Sequence, residues 1–349
     1  MKTIGIIGGG QLGRMLAMAA ARLNFRTVIL EPQADCPAAQ VANSQIVAAY
    51  DDEAALARLA TECDIVTYEF ENVPVGAATL LARSKPVYPP PKALEVAQDR
   101  VTEKRFLNAS GIETAKFHVI DSQADLEAGL ADFGGKGVLK TRRLGYDGKG
   151  QRVFKGDSPT GAFEALGSVP MILESFVPFV REVSIIAARG RDGAIACFDP
   201  AENAHRNGIL HTSTVPAAIS DETATSAKAA AKAILDALDY VGVIGVEFFV
   251  TVDGGLIANE IAPRVHNSGH WTEAACVVSQ FEQHIRAVAG LALADGARHS
   301  DCVMQNLIGD DIDTVPQWLA KPATLVHLYG KSEARPGRKM GHVTWLTGR

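Results

Sequence analysis

Short apolar runs alternate with amphipathic stretches over the first hundred residues. Residues 3–7 are apolar enough for a buried strand, and a helical pattern follows from about Gln11 to Leu23. Arg26–Leu30 reads as a second strand, with further strand-like runs at Ile46–Ala48 and Cys63–Thr67. Strands alternating with helices predict a parallel sheet covered on both faces. Pro86 and Pro89-Pro90-Pro91 break this rhythm and set a boundary near residue 98. Residues 99–290 form a second unit. A helix around Thr102–Asn108 opens it, its middle (134–150) is glycine-rich and basic, and an alanine-rich helix covers 221–238. A loop at Pro263–Gly269 precedes Ser279-x-x-Glu282, a capping-box pattern for a helix through Val288. Residues 291–349 read as a small third domain, so the chain combines α/β and α+β organisation.

Residues 243–251 alternate strictly. Ile244, Val246, Phe248 and Val250 share one face, and Gly245, Glu247 and Phe249 lie on the other. Asp253-Gly254 is a two-residue hairpin signal before a strand at Leu256–Ile261. That turn sets Glu247 directly opposite Glu260, where like charges repel. A divalent cation would offset the repulsion, and Mg²⁺ suits a carboxylate pair. A bulge at Gly254-Gly255 would instead shift the register and leave two ordinary surface acids.

Two glycine motifs add candidate chemistry. Gly8-x-Gly10-x-x-Gly13 follows a strand and opens a helix, and Glu31 ends the second strand. This is the dinucleotide fingerprint, so an NAD(P) oxidoreductase is one reading. Glycines that only permit close strand–helix packing are the other. Leu144-Gly145-Tyr146-Asp147-Gly148-Lys149-Gly150-Gln151 has the freedom to curl around an anion, and Lys140 ends the strand before it.

Composition narrows the class. The 349 residues carry 34 Lys+Arg against 40 Asp+Glu, a formal charge of −6, which argues against a general nucleic-acid binder. The average conceals basic islands of net +6 at 136–155 and +5 at 321–349. Five scattered cysteines without a C-x-x-C suit a reducing cytoplasm. No stretch approaches the roughly 20 apolar residues of a membrane span. Pro263, Asn267, Ser268 and Gly269 make the His266–His270 stretch a loop, against a helical zinc pair. His118, His284 and His299 read as structural or surface histidines.

Gly10-Gln11-Leu12-Gly13-Arg14, Thr67–Val73, Gly145–Gln151, Ala262–His270 and Arg335–His342 resemble the N5-carboxyaminoimidazole ribonucleotide synthase family of the ATP-grasp superfamily. The matches extend from residue 4 to about 345. The resemblance implies an ATP-grasp fold with a Rossmann-like N-terminal domain (1–98), a nucleotide-binding domain (99–290) and a small C-terminal domain (291–349). It implies a cytoplasmic, homodimeric ligase that uses ATP with Mg²⁺ or Mn²⁺, bicarbonate and 5-aminoimidazole ribonucleotide, touches neither nucleic acid nor membrane, and passes its product to a mutase.

Residue by residue, the resemblance assigns ATP phosphates to Arg100, Lys140 and the loop Gly145, Tyr146, Asp147, Gly148, Lys149, Gly150 and Gln151. Glu174, Ser175, Phe176 and Val177 would hold adenine, Glu182 the ribose, and His205 a further nucleotide position. Glu247 and Glu260 would hold the metal with Asn259 beside them, although strict alternation points Asn259 to the other face. Arg264 would handle bicarbonate, while Asp147 and His266 are candidates to deprotonate the amine. Gln11, Tyr68, Glu69, Asn267, Ser268, Lys331 and Arg338 would meet the ribonucleotide, the last two at its 5′-phosphate.

Overall fold

The computed structural model describes residues 1–145 and 150–348. The N-terminal strands Thr3–Ile7, Arg26–Leu30, Ser44–Ile46 and Ile65–Tyr68 form one parallel sheet. Its strands read as continuous apolar runs because helices Gln11–Arg22 and Glu53–Glu62 cover it, and Ile4, Ile6 and Ile7 are fully buried. The third and fourth strands sit within two residues of the expected runs.

Two antiparallel sheets follow. The smaller has Phe117–Ile120, Met171–Glu174, Lys136–Thr141 and Gln151–Lys155, in that spatial order. The larger has nine strands, eight in one continuous order and a ninth, Ile195–Cys197, paired only with Arg181–Arg189. Its edge runs Leu256–Ala262, Gly242–Val250, Arg181–Arg189, Ala201–Arg206, Ile209–Val215. It then continues without a break into Asp301–Ile308, Lys339–Gly348 and Thr324–Leu328, with Thr214 paired to Val303. The C-terminal segment therefore extends the large sheet rather than building one of its own.

The expected helices form as Arg100–Ala109, Asp221–Ala237 and Gln280–Ala289. Asp99, Ser220 and Ser279 cap them through their side chains, satisfying backbone N–H groups that a helix start leaves orphaned. All five cysteines are free thiols. Among the described residues, no helix is long and apolar enough to cross a membrane.

Candidate active site

A cavity of about 630 Å³ lies where the two antiparallel sheets meet the C-terminal edge of the parallel sheet. The smaller sheet contributes Lys140, Gln151 and Glu174, followed by the segment Ser175–Val177. The large sheet contributes Glu182, His205, Glu247, Asn259 and Glu260. The loop after it supplies Arg264, His266 and Asn267, and the N-terminal domain supplies Gln11. Gly145 and Arg100 complete the expected residues found there. Phe179 stacks on Phe249 with ring centroids 4.5 Å apart, and both line the cavity as an apolar wall.

Glu247 and Glu260 are register partners, but not through the simple hairpin that alternation suggested. Val250 pairs with Leu256, so the turn spans Thr251–Gly255, with Gly254 at φ +83°. Gly255 C=O accepts from Thr251 N–H at 2.9 Å. The turn shifts the register by one residue, and a bulge between the Glu247 and Phe248 pairs shifts it back. The bulged residue is Asn259. Strict alternation fails there, which is why Asn259 lines the cavity beside Glu260 instead of facing away. Burial and the facing Glu260 push the Glu247 carboxyl up to about 7.

A dense ion network fills the floor. Lys140 Nζ donates to Glu174 Oε2 at 2.9 Å, and Lys104 Nζ lies 3.5 Å from the same oxygen. Glu174 Oε1 is buried without a partner among the described residues. Burial works against the Glu174 charge, but the two lysines hold its carboxyl below the ordinary value. Arg100 reaches Glu260 Oε2 at 3.4 Å and Gly145 C=O at 3.3 Å. Glu103 Oε1 accepts from Ile261 N–H at 2.7 Å, and burial together with Glu260 raises its carboxyl to about 8. Sequence reasoning missed Glu103 and Lys104. Their spacing from Arg100 along one helix puts all three on one face, which was the available signal. Lys339 also lines the cavity and was not anticipated.

Arg264 is paired through Nε with Glu71, which holds the Glu71 carboxyl down to about 2 despite its burial. His266 Nδ1 bonds Ser268 Oγ at 2.8 Å, and its Nε2 lies 3.7 Å from Glu247 Oε1. Burial, reinforced by Arg264, pushes the His266 imidazole down to about 3, so it is neutral at physiological pH. His205 Nδ1 lies 3.0 Å from Glu182 Oε2. Burial alone would favour neutral His205; the Glu182 carboxylate overcomes it and raises the imidazole's pKa.

The first glycine motif does something else than the dinucleotide fingerprint suggested. Gly10 N–H and Gly13 N–H both donate to the Glu69 carboxylate at 2.5 Å, and Gly9 N–H donates to Glu31 Oε2 at 2.9 Å. The helix start is thus occupied by the protein's own carboxylate, where a pyrophosphate would sit in the dinucleotide reading. A Cβ on Gly8 would come within 2.3 Å of Glu69 Cγ, so the glycines make room for that side chain. Tyr68 is fully buried in the N-terminal core, away from the cavity.

Other expected residues are also placed outside the cavity lining. Ser268 is buried and bonds His266, and Gly150 packs on Thr141. Lys331 Nζ donates to Lys339 C=O at 2.6 Å, and burial, aided by Arg338, lowers its ammonium to about 8. Arg338 donates to Glu333 C=O at 2.9 Å. Tyr146, Asp147, Gly148 and Lys149 lie outside the described residues. The His266–His270 stretch is a loop with a 3₁₀ turn at Asn267–Gly269. His284 is a structural histidine: Nε2 bonds Thr67 Oγ1 at 2.8 Å and Nδ1 accepts from Val243 N–H.

Three family models match the chain in series. They are a ribonucleotide synthetase preATP-grasp domain over residues 1–98, an ATP-grasp domain over 105–281 and a phosphoribosylaminoimidazole carboxylase C-terminal domain over 302–348. The N5-carboxyaminoimidazole ribonucleotide synthase of Brucella melitensis is 66% identical over 345 residues, covering 98% of this chain and 95% of that protein. The Pseudomonas aeruginosa protein of the same name is 48% identical, covering 98% and 93%. An ADP complex of an N5-carboxyaminoimidazole ribonucleotide synthetase superimposes with a TM-score of 0.96 at 43% identity, covering 100% and 93%. The Aspergillus clavatus enzyme with ADP and 5-aminoimidazole ribonucleotide gives 0.93 at 31% identity, covering 99% and 94%.

Proposed function

From the chain's membership of the N5-carboxyaminoimidazole ribonucleotide synthase family of ATP-grasp enzymes, we propose the division of labour in its cavity for the family reaction. That reaction is the ATP-dependent carboxylation of 5-aminoimidazole ribonucleotide with bicarbonate, a step of purine synthesis. The observation that carries this division is the convergence of the Glu247–Glu260 pair, the Arg100 and Lys140 cations and Arg264 on one cavity, with Lys104 behind Glu174.

ATP lies with its adenine against Ser175–Val177 and the Phe179–Phe249 stack, and its ribose at Glu182. Lys140 and Arg100 face the phosphates. Lys140 is kept in place by Glu174, and its positive charge stabilises the transferred phosphoryl group as it leaves ADP. The opposed carboxylates and the Asn259 amide form an oxygen donor set suited to Mg²⁺ or Mn²⁺, and the charge repulsion at Glu247 gives such an ion a stabilising role there. A cation held by these residues would supply charge neutralisation to the phosphates.

Bicarbonate attacks the γ-phosphorus of ATP, giving carboxyphosphate and ADP. Arg264, oriented by Glu71, holds the bicarbonate carboxylate. The exocyclic amine of the ribonucleotide then forms a C–N bond to the carboxyl carbon, either displacing phosphate from carboxyphosphate or adding to the CO₂ left when carboxyphosphate has first expelled phosphate inside the closed site. Asp147 and His266 are the two candidate acceptors of the amine proton in this scheme; burial beside Arg264 weakens the His266 imidazole as a base. Gln11 and Asn267 border the ribonucleotide, and Lys331 and Arg338 serve its 5′-phosphate. Glu69 acts on this substrate indirectly, by fixing the turn that carries Gln11. The enzyme works as a cytoplasmic homodimer and hands its product to a mutase.

The test measures ADP and carboxylated product with each acceptor supplied separately. Bicarbonate-dependent ADP release that requires aminoimidazole ribonucleotide, and is lost in Glu260→Ala, supports the assignment. Equal turnover with formate and glycinamide ribonucleotide would overturn it.

A further inference from the structure

Away from the cavity, three side chains converge that the reaction leaves unused. Glu273 lies on the short helix Thr272–Ala275, which follows the substrate-side loop. His327 and His342 are register partners on the adjacent strands Thr324–Leu328 and Lys339–Gly348. Glu273 Oε2 is 3.0 Å from His327 Nδ1 and 3.4 Å from His342 Nε2. The three ligand atoms all fall within 4.8 Å of one another. None of the three lines the cavity.

We infer that Glu273, His327 and His342 form a binding site for a divalent transition-metal ion, with Zn²⁺ the best fit. Two imidazoles and one carboxylate are a common three-ligand set, and the separations from Glu273 approach those between ligands on one tetrahedral ion.

A second observation points the same way. His342 is fully buried, and among the described residues the polar atom its Nε2 faces is Glu273 Oε2 at 3.4 Å, longer than a good hydrogen bond. Its other nitrogen, Nδ1, bonds the buried Tyr329 hydroxyl at 2.9 Å. With Nδ1–H donating to that oxygen, Nε2 offers a bare lone pair beside a carboxylate oxygen, an arrangement that a cation between them stabilises. An outer partner that fixes the tautomer in this way is typical of histidine ligands. Glu273 and His327 retain 20% and 11% side-chain exposure, which leaves an entry path and room for a solvent ligand. Such an ion would tie the segment after the substrate loop to the two C-terminal strands.

Co²⁺ serves as the probe, because its absorption reports coordination. Tag-free, chelator-stripped full-length protein is titrated with Co²⁺ in excess Mg²⁺, which occupies the carboxylate pair. Wild type should bind one equivalent with the intense visible bands of a four- or five-coordinate site, and Zn²⁺ should bleach them. His327→Gln and Glu273→Gln replace partly exposed side chains, and circular dichroism checks that both remain folded. Each should weaken Co²⁺ binding at least about 100-fold. Absence of the bands in wild type, or unchanged affinity in the folded variants, would overturn the assignment.

Discussion

Replacing Glu247 by glutamine removes a cavity carboxyl that burial and the facing Glu260 raise from its ordinary 4.5 to about 7. Below pH 4.5 this carboxyl is protonated in both folded and unfolded chains and costs nothing. Between 4.5 and 7 the unfolded chain gives up the proton while the folded one keeps it. The folded state therefore binds more protons, and stability falls as pH rises. Above 7 the folded protein bears the whole cost, roughly 3 kcal/mol at 1.36 kcal/mol per unit. Urea unfolding of wild type and E247Q in EDTA at pH 5 and pH 8 reads this group together with its coupling to Glu260 and His205, the other titrations being common to both. The stability of E247Q relative to wild type should rise by roughly 2–3 kcal/mol between the two pH values. Saturating Mg²⁺ should then stabilise wild type at pH 8 by a comparable amount, about 2.7 kcal/mol at 100 times its Kd, and E247Q far less. Parallel pH profiles for the two proteins, or equal stabilisation of both by Mg²⁺, would refute the opposed-carboxylate account.

Glu69→Gln sets an amide N–H against one of two buried backbone donors and should cost about 2–4 kcal/mol in urea unfolding. Gly10→Ala, whose Cβ would fall 2.7 Å from Glu69 Oε1, should do similar damage; wild-type stability in both would mean the carboxylate does not hold the turn. Arg264→Lys loses the planar fork aligned by Glu71, and kcat should drop about 10²–10³-fold with ATP binding retained. An unchanged kcat would remove Arg264 from the bicarbonate step. Phe179→Ala dismantles the stack on Phe249, so the KM for ATP should rise roughly 2–10-fold while that for the ribonucleotide holds; equal rises in both would count against an adenine wall.

Local pattern carried much of the fold. Alternation of apolar runs and helices was enough for the parallel sheet, and Ser279 marked the start of the helix through Ala289. What it did not reveal is where distant segments meet. Tyr68 and Glu69 looked like a polar strand end facing substrate. Instead, Tyr68 packs into the core, and Glu69 turns back to bind the glycine turn 56–59 residues earlier in the chain. Nothing near Glu69 in the chain signals that contact. The hairpin shows the converse. Glu247 was placed opposite Glu260 by assuming a two-residue turn and unbroken alternation. Both assumptions fail by one residue in opposite senses, so the pairing survives while the orientation of Asn259 does not.

Charge counting shows the same limit more sharply. The basic island at 136–155 looked like a phosphate site in itself, yet much of it is spent internally. Arg143 is tied to Gln98 at 2.9 Å, and the two cations of the island that line the cavity, Arg142 and Lys140, are each paired with an acid, Asp99 at 2.9 Å and Glu174 at 2.9 Å. In the C-terminal island, Lys331 and Arg338 bond backbone carbonyls and Lys339 is the one that lines the cavity. The other cations around the acids come from outside both islands: Arg100 and Lys104 from a capped helix, Arg264 from a loop. A phosphate-transfer site needs positive charge converging from several directions on one volume, and convergence is a property of the fold. Runs of like charge along a chain are more often dispersed by it, because neighbours in a strand point to opposite faces.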